Sequence, residues 1–213
     1  MYTKEIWRYP VKSLAGEQLE QAQLSEIGVE GDRRVVVVDA RGRILTARTR
    51  PKLLALHGSL GDDGEPRING RPWSEPESLR LVQEAAGPGT QLVRVQGAES
   101  FDILPLSVAT DGAVAYLGVD RRRFRPNLFL GGVEGLAERQ WEGTALRIGE
   151  VVIRMKQLRG RCVMTTWDPD TQEQNPSVLR RIAKELDGTL SLDSLVEKPG
   201  TIGVGDAVEL IHG

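Results

Sequence analysis

Residues 35–46 read Val35-Val36-Val37-Val38-Asp39-Ala40-Arg41-Gly42-Arg43-Ile44-Leu45-Thr46, and their reading decides the fold class. Four consecutive β-branched residues suit an extended backbone and resist a helix, where a branched Cβ crowds the preceding turn. Asp39 to Gly42 then supply turn chemistry, with Gly42 able to take the positive φ that a tight hairpin needs. Ile44-Leu45-Thr46 returns as the partner strand.

Outward from this hairpin, the amino-terminal half predicts further short strands at residues 5–9, 19–24, 53–60, 79–82 and 91–95. Residues 61–76 hold Gly, Asp, Asn and Pro and predict a loop or a long-ended hairpin. Gly87-Pro88-Gly89 is the predicted internal boundary, giving a β subdomain over 1–90, whose first strands reach the functional site, and a second domain over 91–213. In that second part Thr110 is placed to cap a short helix ending at Gly118, and strands are predicted at 127–130, 146–157 and 207–211. The strongest helix signal is residues 176–186, with Asn175 as N-cap, Pro176 in the first turn and Gly188 just past the end. The sum is a β-rich α+β chain, barrel-like, with few helices.

With 28 Lys and Arg against 30 Asp and Glu, the formal net charge is −2. This is no electrostatic footprint for nucleic acid or an anionic membrane, so any anion site must be local. No apolar run approaches the length of a membrane span, and the start lacks a signal-peptide core. The expected location is the cytoplasm. One cysteine, Cys162, and two histidines, His57 and His212, cannot build a four-ligand zinc site or an iron–sulfur cluster. Redox chemistry here would need a borrowed cofactor.

Three basic clusters stand out. Cys162 follows Arg159-Gly160-Arg161, where positive charge favours a thiolate and Gly160 frees the backbone to turn. Arg121-Arg122-Arg123-Phe124-Arg125-Pro126-Asn127 places four arginines in five positions. Alternation predicts Arg125 and Asn127 on one side of a starting strand, where a guanidinium fork and an amide edge can hold a phosphate and a flat heterocycle. Alone, this run reads more readily as solvated charge or a nucleic-acid patch. Lys12-Ser13, Gly31-Asp32-Arg33-Arg34 and Thr46-Ala47-Arg48 form the third cluster. A lone cysteine is often just a small buried hydrophobe; only the conjunction of the clusters points to an anionic cofactor that carries a metal.

Tyr9-Pro10-Val11-Lys12-Ser13, Gly31-Asp32-Arg33, Thr46-Ala47-Arg48, Arg123 to Asn127, the run from Arg161-Cys162 through Met164-Thr165-Thr166 and Asp168-Pro169-Asp170-Thr171, and the stretch Pro199 to Asp206 together resemble the MOSC family. The likeness is strongest to its branch of amidoxime-reducing components with an N-terminal MOSC β-barrel segment. The resemblance implies a MOSC β-barrel fold and the molybdenum cofactor, with Cys162 as the protein's sulfur ligand to molybdenum. By the same resemblance Lys12, Ser13, Arg34, Arg48, Ser107, Arg125, Asn127 and Arg161 would hold the phosphate and pterin. It further implies reduction of N-oxygenated compounds with electrons from a separate donor protein of ferredoxin or flavoprotein type, and pyridoxal phosphate binding as a family-level attribute. The alternative is a sulfur carrier using a Cys162 persulfide. Gly160 stands where relatives often have Ser. Trp167 replaces a small aliphatic residue and would narrow a substrate mouth, and the Asp168-Pro169-Asp170 turn is a candidate for moving protons.

Overall fold

The structure, a computed structural model, describes residues 1–211, without the side chains of 98 and 99; His212 lies outside the described residues. The first strands are β1 (Tyr2–Arg8), β2 (Glu17–Leu19), β3 (Gln21–Ser25), β4 (Gly28–Val29), β5 (Val35–Val38) and β6 (Ile44–Leu45). A 3-10 turn at Pro51–Ala55 leads to β7 (Gly58–Leu60), β8 (Pro66–Ile68), β9 (Arg71–Pro72), α1 (Pro76–Ala86) and β10 (Gln91–Arg94). Then come β11 (Leu106–Thr110), α2 (Asp111–Leu117), β12 (Leu128–Gly131), β13 (Ala145–Ile148) and β14 (Val151–Gly160). The chain closes with α3 (Pro176–Glu185), β15 (Thr189–Lys198), β16 (Gly200–Gly203) and β17 (Val208–Ile211).

The organising element is an eight-stranded mixed sheet in the order β17-β13-β14-β15-β11-β12-β1-β2. The β-rich α+β expectation with few helices holds, although among the described residues this sheet does not pair into a closed barrel. Its flanks are tied instead by an isolated Tyr2–Ala207 bridge and by backbone bonds from Thr3 N to Asp206 O and Val208 N to Met1 O. Three smaller sheets of three strands each accompany it. In one of them β5 pairs with β6 across the hairpin and with β10 on its other side. All four valines of β5 are buried, which explains the absence of alternation in that run.

Three apolar cores form. The main sheet buries Ile6, Leu106, Val108, Leu128, Leu130, Leu146, Ile153 and Leu192, each contributing about 1.5–3 kcal/mol relative to exposure. The amino-terminal core gathers Val11, Leu14, Val35, Val37, Leu53, Ile68 and Val82, with Met164 and Trp167 packed on it. The third joins α2 and α3 through Ala113, Leu117, Val178 and Ile182, with Phe124 inside it. Residues 123–125 and 162–167 therefore stand where the cores meet.

The caps behave as predicted: Thr110 Oγ1 accepts from Ala113 N, Asn175 Oδ1 accepts from Ser177 N, and Gly118 closes α2 in the left-handed conformation. Three expectations fail. Residues 79–82 are helical within α1, whose Val82 and Ala86 are buried; Pro76 stands in its first turn, but its N-cap, Glu75, makes no side-chain capping bond. Residues 53–60 divide into a 3-10 turn and β7, and residues 146–157 form the β13–β14 hairpin rather than one strand.

Candidate functional site

β14 ends at Gly160, and the chain reaches Cys162 in extended conformation before a 3-10 turn over Val163–Thr166. Cys162 O accepts from both Thr165 N (3.1 Å) and Thr165 Oγ1 (2.9 Å), which fixes the half-buried thiol at the turn's start. Gly160 does not provide the bend: it pairs with Thr189 in the β14–β15 ladder, and a Cβ there would meet open space.

The thiol faces a cavity of about 250 Å3 lined by Lys12, Ser13, Arg33, Arg48, Arg125 and Arg161, with Thr46, Asp102, Arg123 and Arg159 completing its polar wall. Among the described residues the lining holds seven cationic side chains and one carboxylate. Asp102 accepts from Lys12 Nζ (2.8 Å) and Arg48 Nη2 (2.7 Å), and Lys12 also donates to Ser100 O at 2.7 Å. Three carboxylates behind the wall serve three arginines: Asp32 for Arg33, Asp168 for Arg123 and Asp193 for Arg159. Arg125 and Arg161 have no carboxylate partner among the described residues. The Arg125 guanidinium lies over the Tyr9 ring, 4.2 Å from its centroid. Arg161 donates through Nη2 to Phe124 O (3.0 Å) and Ser191 Oγ (3.2 Å), and its buried Nε has no acceptor.

Electrostatics follow from this excess. Burial depresses Arg125 to about 10 and Arg161 to about 9, in the second case with the Arg159 charge adding to it. Arg48 moves the other way, held above its ordinary value first by its hydrogen bond with Cys162 and then, against burial, by Asp102. For Asp102, burial pulls upward, but Lys12 and Arg48 outweigh it and leave the carboxyl below its ordinary value. The backbone is also unusual here. Ser13, Arg33 and Arg125 adopt φ of 74°, 49° and 51°, a conformation that costs a non-glycine residue of order 1–3 kcal/mol and concentrates at functional sites.

Of the residues named from sequence, Lys12, Ser13, Arg48, Arg125, Arg161 and Cys162 meet in this cavity. Arg34 instead lines a neighbouring cavity with Gln96 and Phe101, and Arg33 lines both that cavity and the thiol's. Asn127 and Ser107 stand behind the wall. Asn127 Oδ1 accepts from Ser107 N (3.2 Å), and Asn127 Nδ2 donates to Asp32 Oδ2 (3.1 Å) and Trp7 O (3.3 Å). Asp32 Oδ1 accepts in turn from Tyr9 N at 2.6 Å, so this network sets the ring on which Arg125 rests. Ser107 Oγ is buried with no partner. Arg125 is not in a strand: it caps a 3-10 turn over Arg121–Phe124, and β12 begins only at Leu128, so the shared-face prediction fails.

The rest of the arginine run is engaged in ion pairs, Arg121 with Glu5 and Arg122 with Asp120 and Asp170. Asp168 pairs with Arg123 and caps its own turn by accepting from Asp170 N and Thr171 N, and none of Asp168, Pro169 and Asp170 lines the thiol's cavity. Sequence reading missed Asp102, which carries no motif, and Tyr9 as the support of Arg125. Among the described residues no group of three or more metal-ligating side chains forms. A metal at Cys162 would take its other ligands from a bound molecule, and the cationic wall calls for that molecule to be an anion.

These features define a thiol set in an anion cradle. The chain belongs to the MOSC family: the MOSC N-terminal beta barrel domain matches residues 1–103 and the MOSC domain matches residues 103–209. Among curated relatives, mitochondrial amidoxime-reducing component 1 of Homo sapiens is 25% identical, with 97% of this chain and 82% of that protein covered. Mitochondrial amidoxime reducing component 2 of Homo sapiens is also 25% identical, over 96% and 82%. A molybdenum cofactor sulfurase of Drosophila grimshawi is 24% identical over 85% of this chain and 30% of its own length. The fold is shared with the YUAD protein from Bacillus subtilis, at TM-score 0.52 and 13% identity, covering all of this chain and 96% of that one. Among the described residues, no helix is long and apolar enough to cross a membrane.

Proposed function

We propose that the chain binds the molybdenum cofactor in the cavity at Cys162 and reduces N-oxygenated compounds with electrons from a separate donor protein, of ferredoxin or flavoprotein type. The observation that carries this reading is the pair of half-buried arginines, Arg125 and Arg161, left without carboxylate partners among the described residues in a wall already rich in cations. A phosphate monoester supplies up to two negative charges and several acceptor oxygens, which is what such donors lack. Lys12, Ser13, Arg33, Arg48, Arg125 and Arg161 would hold phosphate and pterin. Cys162, hydrogen-bonded by Arg48, would be the protein ligand, its sulfur suited to a soft metal centre. Asn127, Ser107 and Asp32 position the wall from behind. When bound, the cofactor supplies the two-electron redox chemistry, while the chain binds, orients and excludes water. The matches to amidoxime-reducing components support the substrate class, and the single cysteine supports an external electron source and a reducing compartment such as the cytoplasm.

Protein made in a host that synthesises the cofactor is expected to carry close to one molybdenum per chain by elemental analysis. Trace metal from such a host would overturn this reading in favour of the persulfide carrier, which needs no stoichiometric metal.

A further inference from the structure

Glu138 is a buried carboxyl that the site described above does not use. It sits in a 3-10 turn over Ala137–Gln140 and is 0% exposed. A carboxyl so placed is tolerated only when it is hydrogen-bonded, and each oxygen has its donor: Oε2 accepts from Thr110 Oγ1 and Oε1 from Ser191 N, both at 2.7 Å. Burial still holds the group above the ordinary carboxylate range. Its neighbour Arg139 donates to Leu186 O (3.3 Å) and Thr189 O (3.2 Å), so the same turn fastens the start of β15.

Ser191 carries the strain that this grip opposes. Its φ is 68°, in the left-handed region that a non-glycine residue leaves unless its surroundings hold it there. It lies where the β14–β15 ladder slips: Leu158 pairs with Leu192 but Gly160 with Thr189. Between those pairs β15 carries one residue more than β14, a bulge of the kind that re-aims a side chain. The re-aimed hydroxyl, Ser191 Oγ, accepts from Arg161 Nη2 at 3.2 Å. Arg161 lines the Cys162 cavity, its guanidinium 5.1 Å from the Phe124 ring centroid, and Ser191 and Glu138 stand behind it. Across the serine the two charges favour one another, each acting against the larger effect of burial: Arg161 draws the Glu138 carboxyl down, and Glu138 raises Arg161. A carboxylate in direct contact would occupy guanidinium donors and repel an anion. One set behind a serine steadies the guanidinium and leaves its cavity side to a ligand.

We propose that Glu138 is a positioning residue for anion binding at Cys162: it holds the β15 bulge so that Ser191 Oγ fixes the Arg161 guanidinium on the cavity wall. The assignment rests on the reading of that cavity as an anion site, given above.

The test is calorimetric titration of the full metal-free chain with inorganic phosphate. Glu138→Leu, which keeps similar volume and removes both acceptors, should weaken phosphate about tenfold, the worth of one well-placed hydrogen bond to a charged group. Glu138→Gln can still accept from Ser191 N while donating to Thr110 Oγ1, and should keep affinity within about twofold of the parent. In an Arg161→Gln background the Glu138→Leu loss should vanish, a coupling that a role in general stability does not produce. Ser191→Ala keeps the backbone N–H and removes only the hydroxyl, so it answers the same question where Glu138→Leu does not fold: phosphate should bind several-fold more weakly with Arg161 present and equally well without it. Equal losses with and without Arg161, unchanged affinity in Glu138→Leu or Ser191→Ala, or a Glu138→Gln variant as weak as Glu138→Leu overturns the assignment. A parent that binds no phosphate at millimolar concentration overturns the anion-site reading along with it, whereas a parent that binds phosphate and shows no coupling overturns this assignment alone.

Discussion

Replacing Arg125 by Met should make the ligand-free protein more stable while destroying its capacity to hold cofactor. Burial lowers this guanidinium to about 10, and each pH unit of such a displacement is worth about 1.4 kcal/mol. Holding the charge therefore costs the ligand-free fold about 3 kcal/mol. The sign is fixed: at neutral pH, below both the folded and the unfolded pKa, the group is charged in both states. The full cost is then present and is relieved only as pH rises through 10. Against it stands the contact with the Tyr9 ring at 4.2 Å, worth about 0.5–2 kcal/mol. Met fills similar space without charge, so the net gain is about 1–2 kcal/mol, which for a chain of this size raises Tm by about 3–6 °C. Circular-dichroism melts of metal-free parent and variant at pH 7.5 read the stability, and pterin fluorescence after gel filtration of cofactor-loaded protein reads retention. A variant that melts several degrees lower, or that keeps its pterin, refutes the reasoning, because Arg125 would then serve the fold rather than a ligand.

Cys162→Ser should retain pterin, held by Lys12, Arg48, Arg125 and Arg161, yet alter the Mo(V) resonance and lose most benzamidoxime reduction with a chemical reductant; an unchanged resonance in electron paramagnetic spectra would remove Cys162 from the metal. Asp102→Asn removes a carboxylate that neutralises both Lys12 and Arg48 inside the cavity, so inorganic phosphate should bind the metal-free variant several-fold more tightly by calorimetry. The parent carries a second signature of Asp102. Its lowered pKa gives stability present above the ordinary carboxylate range and lost as pH falls through the folded value, so acid should lower the parent's Tm by more than the variant's.

Much of this was legible in the sequence because it depended on local chemistry. The valine run with its Asp39–Gly42 turn gave the hairpin, and Asn175-Pro176 gave α3, since caps and turns are decided by neighbours in the chain. Strand β15 was not foreseen. Ser191, Asp193 and Ser194 are fully buried in it, so polar residues that read as surface are inside, serving Arg161, Arg159 and Met155 from across the sheet. The site divided along the same line. Cys162 and the basic motifs were legible as candidates, but that Arg33 and not Arg34 lines the thiol's cavity is a matter of tertiary placement, which no periodicity reveals. Asn127 looked like a pterin contact by motif; its amide is already engaged by Asp32, Trp7 and Ser107, a fact of tertiary structure.

The place of β1 in the main sheet has a practical bearing on dissecting this protein. β1 covers β12 along Tyr2 to Ile6 and carries β2 on its far side, although both belong to the region matched as the amino-terminal domain. A fragment cut at the family boundary near residue 103 would bare the flank of Leu128-Phe129-Leu130, three apolar residues with open backbone donors and acceptors. Such a flank recruits strands from other molecules. Severing the two regions would therefore yield an aggregating piece rather than a smaller working one, so this chain must be engineered by substitution and not by truncation.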